Sequence, residues 1–473
     1  MEYNRVVDLS ETVCVFSPRS DPDCGERRKN TVFPRVFVRL FCPFGKVVDI
    51  SESIKMGKYK VLVTYVEAGM GHIISAEAVA NALEKYYPDE VEVIRCNIFT
   101  DTGDKLLIKY QQFLIDEVKK SNKHPFHMFY LKLLRMRLFP RQLSLVFAHA
   151  TIFLKEKKKV IAIMKSFDPD MVFNTHFVPL HFAIEAQKKH YGGHFLTAVY
   201  NPDPNTHGWW DNRGDLSAFN NQGAYVEAVR NGFKPENCLL TRFVLRENVM
   251  QTTKDKVALR RKHGLPEDQF TITLASSAYA GGNLRSFADR ILHINRRFTL
   301  LIITGSNDAV YEEYNAKVGQ TGNVDLRVYR FVPDAHELYG ASDIFITKAG
   351  PNAILDSVYM DTPVMTNFCA SIIEQVTKAY YIDEHKTGVH FQNPDDAADF
   401  LLRCMDNPVV LEPYIENCRA FIRDHTGGEK EIADAIVKKL RENGPPKSDL
   451  KRDGKIAPTE TDPDEKREPA TVG

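Results

Sequence analysis

Several residues of this chain have the types and spacing needed to hold an anion and move a proton. Gly69, Gly71 and His72 lie in Glu67-Ala-Gly-Met-Gly-His72, between an apolar run, Tyr59 to Val66, and a helical pattern, Ile73 to Tyr86. A turn that closes a strand and opens a helix brings backbone close to a ligand through its glycines. The free N–H groups and dipole of the first helical turn favour negative charge there. An imidazole at that mouth, with an ordinary pKa of about 6.5, suits proton transfer at neutral pH. A second arrangement lies far downstream, where Ala341-Ser-Asp-Ile-Phe-Ile-Thr-Lys348 runs into Ala349, Gly350, Pro351 and Asn352 and a helix opens one and a half turns before Asp356. A carboxylate so placed holds two vicinal ribose hydroxyls, and the helix start before it takes a diphosphate, so together they form a nucleotide socket. Ser276, Ser277, Gly281 and Gly282 repeat the turn after another apolar run, and Thr304 and Gly305 end the next. Any one of these glycine turns alone also reads as a plain tight loop.

The elements that must position these residues alternate. Strand-like runs at 91–95, 171–174 and 195–200 are interleaved with helical patterns from Lys58 to about Arg246. A second set, at 270–276, 299–304, 325–329 and 343–347, follows with its own helices. The alternation predicts an α/β chain of the GT-B kind: two Rossmann-like, doubly wound domains whose strand ends face a central cleft. The domains read as 58–246 and 247–442. Residues 1–57, with four prolines and no periodicity, form an extension. It is either a small accessory segment or a stretch upstream of a start at Met56. Residues 443–473, rich in Pro, Lys, Asp and Glu, read as a disordered tail.

Composition bounds the rest. The 473 residues are 43% hydrophobic and 26% charged, with 62 basic and 62 acidic side chains, so the net charge gives no argument for a nucleic-acid or acidic partner. The eight cysteines are scattered with no C-x-x-C pair, which fits a reducing, cytoplasmic location and argues against structural zinc. No apolar run reaches the roughly 18 residues that span a bilayer, so membrane contact is expected to be peripheral.

The sequence from Lys58 to about 440 resembles the glycosyltransferases of family 28, in particular monogalactosyldiacylglycerol synthases and processive diacylglycerol glucosyltransferases. The peptidoglycan N-acetylglucosaminyltransferase is a more distant likeness. The resemblance implies a GT-B enzyme that binds a UDP-sugar in its second domain, takes the acceptor in its first, and transfers the sugar with inversion and without a required metal or other cofactor. Gly69, Gly71 and His72 resemble the family's glycine-rich loop ending in histidine, which makes His72 the base for the acceptor hydroxyl. Lys348, Ala349, Gly350 and Pro351 resemble the Lys-Ala-Gly-Pro-Gly diphosphate loop, and Asp356 falls where a ribose-binding glutamate is expected. Phe331 and Val332 match the segment flanking the uracil, and Glu374 falls where the family has a Gln-Glu pair that contacts sugar hydroxyls, with Gln375 next to it on the donor side. His207 and Trp210 resemble a His-x-x-Trp segment near the acceptor.

The chain departs from that pattern at Met70, Asp356, Ile373, Thr377 and around Asn201-Pro-Asp203, which bears on donor choice and on turnover. Two other readings therefore stand beside a hexosyltransferase acting on diacylglycerol. One is an epimerase-like enzyme using the same UDP-sugar; the other is a silent protein that binds a sugar nucleotide or lipid. Residues 105–165 favour the lipid-directed reading: fourteen Lys or Arg, among them Lys132, Arg135, Arg137, Arg141, Lys157, Lys158 and Lys159, face three acids, for a net charge of +11. Interleaved Phe and Leu make this the mix that an element docking on the cytoplasmic face of an anionic membrane needs. A solvated basic face is the plain alternative.

Overall fold

The computed structural model describes residues 57–67, 70–101, 103–121, 154–188, 195–201, 210–275, 283–369 and 372–453, all within the unit Met56–Gly473. Lys132, Arg135, Arg137 and Arg141 lie outside the described residues, as do His207, Gly69 and the turn holding Ser276, Ser277, Gly281 and Gly282.

Two six-stranded parallel sheets carry the fold. In the first, β1 (Tyr59–Tyr65), β2 (Val91–Asn97), β3 (Met171–Asn174), β4 (Leu196–Asn201), β5 (Leu216–Phe219) and β6 (Cys238–Leu240) lie in the order β2-β1-β3-β4-β5-β6. In the second, β7 (Thr271–Ala275), β8 (Phe298–Ile303), β9 (Val324–Tyr329), β10 (Ile344–Lys348), β11 (Val364–Phe368) and β12 (Gly388–His390) lie in the order β12-β11-β10-β7-β8-β9. Every residue of β7 and β8 is buried, as a parallel strand covered by helices on both faces requires, which explains their unbroken Ile, Leu and Thr runs. The sequence patterning did not reveal β5, β6, β11 and β12, strands of three to five residues.

Strand order reverses between β1 and β3 in the first sheet and between β7 and β10 in the second. At such a switch point the outgoing connections diverge and leave a crevice at the carboxyl ends of the strands. The turns after β1 and β10 open there.

Two chain crossings join the halves. The Phe243 N–H donates to the His425 carbonyl at 2.7 Å, and the Gly428 N–H to the Phe243 carbonyl at 3.0 Å. A Cβ at Gly428 would stand 1.9 Å from the Arg242 carbonyl oxygen, so only glycine lets the two crossings touch. The chain then returns. The helix Gly428–Asn443 buries Ile432, Ala433, Ile436, Val437 and Leu440 in the same cluster as Val61, Ala76, Val79, Ala80 and Leu83. The second domain thus ends before residue 428 rather than at 442, because the apolar stripe of this helix completes the core of the first sheet.

The tail is also corrected. A helix, Lys447–Arg452, follows, with Lys447 and Asp449 buried. Lys447 and Lys451 both pair with Asp168, which composition alone does not reveal. The Lys447 N–H donates to Asp170 Oδ1 at 2.9 Å, Lys447 Nζ bonds the Pro169 carbonyl at 2.8 Å, and Asp449 accepts the Gly57 N–H at 2.9 Å. Among the described residues no helix is long and apolar enough to cross a membrane.

Candidate functional site

On the first sheet the site begins at His72, the third residue of the helix Met70–Tyr86. Its Nδ1 lies 2.5 Å from the Thr175 carbonyl oxygen, which can only accept, so Nδ1 carries the hydrogen and Nε2 is left with its lone pair. Thr175 Oγ1 donates in return to the His72 carbonyl at 2.7 Å. The His176 ring meets His72 edge-on, with centroids 4.7 Å apart. Burial first, and the neighbouring His72 second, push the His176 imidazole well below its usual pKa. It therefore stays neutral, and its Nδ1 accepts the Val178 N–H at 3.2 Å. Asn174 sets this corner, accepting from Thr64 Oγ1 at 2.6 Å and donating to the Ala198 carbonyl at 3.0 Å, which ties the ends of β1, β3 and β4 together.

On the second sheet Lys348 ends β10 just past a break in register with β11. Its Nζ lies 3.0 Å from Glu374 Oε1, and the side chains are only 19% and 6% exposed. Two residues drawn from separate stretches of sequence for the same donor thus form one buried ion pair. Ala349 is buried, with its N–H on the Phe368 carbonyl at 3.2 Å. Gly350 caps the helix Pro351–Tyr359 with no side chain to offer, and Pro351 takes the first helical position. No side chain of the cap residue bonds the N–H groups of the first turn. Gln375 is exposed. Thr304 is buried, its N–H and hydroxyl both on the Tyr329 carbonyl, and Gly305 turns the chain with φ +63°. Phe331 is 60% exposed, an aromatic face open to stacking, beside half-buried Val332.

Asp356 stands at the expected turn of that helix, but its carboxylate is buried and ion-paired with Arg246 from the linker between domains. Burial raises its pKa, and the Arg246 guanidinium partly offsets this. A ribose would have to displace Arg246 to use this carboxylate. Trp210 departs further from its reading. It is buried among Phe219 and Phe233, with ring centroids 5.0 and 6.3 Å away. Its bulk serves the core of the first domain, and the acceptor-side reading of Trp210 is replaced by a packing one. Lys158 and Lys159 are exposed on the helix Leu154–Phe167, and Lys159 pairs with Asp104. The backbone of Lys157 lies in the same helix; its side chain is outside the described residues.

The two turns meet. At Gly71, beside His72, an added Cβ would fall 2.4 Å from Asn352 Nδ2, so the starts of the two helices touch across the domains. The readings from sequence missed Thr175, His176 and Arg246. The signal for the first two was polar residues directly after the apolar run Met171–Asn174, at the ligand-facing end of a parallel strand.

Known proteins resemble this chain in sequence and fold. Residues 276–366 match the glycosyltransferase family 28 C-terminal domain. Over 355 residues the chain is 23% identical to the probable monogalactosyldiacylglycerol synthase 2, chloroplastic, of Oryza sativa subsp. japonica, covering 72% of each. It is 22% identical over 357 residues to the probable monogalactosyldiacylglycerol synthase of Nicotiana tabacum, covering 72% of this chain and 64% of that one. It is also 21% identical over 313 residues to the processive diacylglycerol beta-glucosyltransferase of Bacillus cytotoxicus, covering 65% and 75%. Among solved structures, MurG of Acinetobacter baumannii aligns with a TM-score of 0.52 at 13% identity, over 80% of this chain and 99% of that one. A putative UDP-N-acetylglucosamine 2-epimerase from Listeria monocytogenes aligns at 0.54 and 14%, over 82% and 97%. These two likenesses concern the fold. Residues 276–366 thus form a family 28 glycosyltransferase C-terminal domain, set in the second of two parallel α/β sheets arranged as in the GT-B fold, and the chain as a whole resembles the family 28 glycosyltransferases.

Proposed function

We propose that this protein transfers a hexose, galactose or glucose, from a UDP-sugar to a lipid hydroxyl, diacylglycerol being the acceptor, with inversion at the anomeric carbon and without a required metal. The observation that carries the reading is the convergence of the two turns, with the His72 imidazole on one side and the Lys348–Glu374 pair on the other. The names of the relatives in rice, tobacco and Bacillus cytotoxicus supply the substrate class.

In this reading His72 Nε2 takes the acceptor proton as the hydroxyl attacks the anomeric carbon and the bond to UDP breaks. Thr175 holds the tautomer that makes this possible. The charge that develops on the departing diphosphate is met by Lys348 and by the open start of the helix Pro351–Tyr359. Glu374 both neutralises Lys348 between turnovers and offers a carboxylate to sugar hydroxyls. Phe331 stacks on the uracil. Lys157, Lys158 and Lys159, with the basic residues before them, bring the first domain to an anionic membrane.

The test is product detection by mass spectrometry after mixing the protein with UDP-galactose or UDP-glucose and diacylglycerol in anionic or zwitterionic vesicles. A hexosyl-diacylglycerol formed faster on anionic vesicles is the expected result. UDP binding without any product would replace this reading with the silent binder, and equal rates on both vesicles would remove the membrane part.

A further inference from the structure

We propose that Asn352 is a positioning residue spanning the cleft: its side-chain amide, seated on Gly71, sets the distance between the turn carrying His72 and the turn that receives the diphosphate. The inference rests on the glycosyltransferase reading above and adds a residue whose part in it is not carried by that reading.

The geometry is specific. Measured from the place a Cβ would take on Gly71, Asn352 Nδ2 is 2.4 Å away, Cγ 3.5 Å and Oδ1 3.8 Å, and these are the three nearest atoms from outside the helix. The nearest contact is made by this one side chain and is led by its nitrogen. Gly71 is the second residue of the helix Met70–Tyr86, and Asn352 is the second of the helix Pro351–Tyr359. Two helix starts, each favouring negative charge, thus meet through a neutral group that only adds N–H donors on that side. A longer or charged side chain at 352 would hold the turns apart or compete with Lys348. A glycine, which ends the Lys-Ala-Gly-Pro-Gly loop that this turn resembles, would leave nothing between them.

The spacing matters because His72 adjoins Gly71 on rigid helix backbone, while Asn352 lies four residues after Lys348. A shift of one helix start against the other moves the base relative to the sugar. Misplacement by about 1 Å costs on the order of 100-fold in rate. Asn352 thus acts on turnover through His72 and leaves the nucleotide's own contacts alone.

A double-mutant cycle with Gly71→Ala and Asn352→Gly tests this, read as kcat and KM for the UDP-sugar on diacylglycerol vesicles. Asn352→Gly alone should lower kcat about tenfold with KM changed less than about twofold. Gly71→Ala should cost at least about tenfold in the parent, where the new methyl meets the amide, and less than about threefold in the Asn352→Gly background. Equal losses of Gly71→Ala in both backgrounds would overturn the proposal. A second experiment needs no turnover: the pair Gly71→Cys and Asn352→Cys should form a disulfide under mild oxidant, detected as a linked tryptic peptide. Absence of the link in folded protein would overturn the contact even if the enzyme is active. A link in a protein that makes no glycolipid would uphold the contact and place the fault with the activity.

Discussion

His72 and Thr175 hold one another twice: the Thr175 carbonyl takes the hydrogen on His72 Nδ1 at 2.5 Å, and the Thr175 hydroxyl donates to the His72 carbonyl at 2.7 Å. One bond fixes the tautomer and the other fixes the backbone that carries the ring. His72→Ala should lower kcat by about 10²- to 10⁴-fold while UDP affinity, measured by calorimetry, stays within about twofold. Thr175→Ala keeps the carbonyl and loses only the hydroxyl, so its loss should be smaller, roughly three- to tenfold. Full activity in His72→Ala would show that another group takes the proton.

The Lys348–Glu374 pair is a largely buried charged contact on the donor side. Removing either partner leaves a mostly buried charge without its counterpart. Lys348→Met and Glu374→Gln should each lower kcat/KM by at least about tenfold, and the double variant should lose less than the product of the two. Thermal unfolding checks the same pair: each single variant should unfold earlier than the double one. Strict additivity in both measurements would mean the pair is not formed in solution.

His176 gives a pH dependence. Its folded pKa lies well below that of the unfolded imidazole, so in the window between the two the unfolded chain binds more protons. Stability therefore falls as pH drops below about 6.5, by up to roughly 1.4 kcal/mol per pH unit for this one group, and is unaffected by it above that pH. His176→Gln should show a flatter fall of melting temperature between pH 6.5 and 5 than the parent. Parallel curves would refute the buried, neutral imidazole.

Ending the chain after Asn443 should destabilise the first domain. It removes the Lys447 N–H from Asp170, the Asp449 carboxylate from the Gly57 N–H, and the Gly444 carbonyl that accepts the Tyr59 hydroxyl at 2.8 Å. With each bond contributing about 1 kcal/mol, the loss should be about 2–3 kcal/mol. Denaturant melts of the parent and the shortened chain measure it. Identical midpoints would mean that the helix Lys447–Arg452 contributes nothing.

The fold was largely legible, and its reason is physical. Parallel strands covered on both faces write continuous apolar runs, so β1, β7, β8 and β10 could be read, and the glycine turns marked their ends. What stayed hidden was whatever depends on distant pairing. The Met171–Asn174 run could be read, but not that Thr175 just beyond it would face a residue 103 positions earlier. Lys348 and Glu374 were both named, each from its own local motif; their pairing comes only from the packing of the helix Ile372–Lys378 against the end of β10. Trp210 misled because a Trp beside a His is read the same way on a binding surface and in a core. Asp356 was found by spacing, yet its partner Arg246 lies in a linker with no pattern of its own.

The return of the helix Gly428–Asn443 to the first sheet bears on the order in which the chain can fold during synthesis. The cluster under β1 and β3 lacks one wall until Leu440 has left the ribosome, by which time the whole second sheet has already been made. The first domain therefore waits for the second, the reverse of the usual order in which an upstream domain folds first. The first half is not a free-standing module, and a cut between the two would leave it with an exposed apolar face.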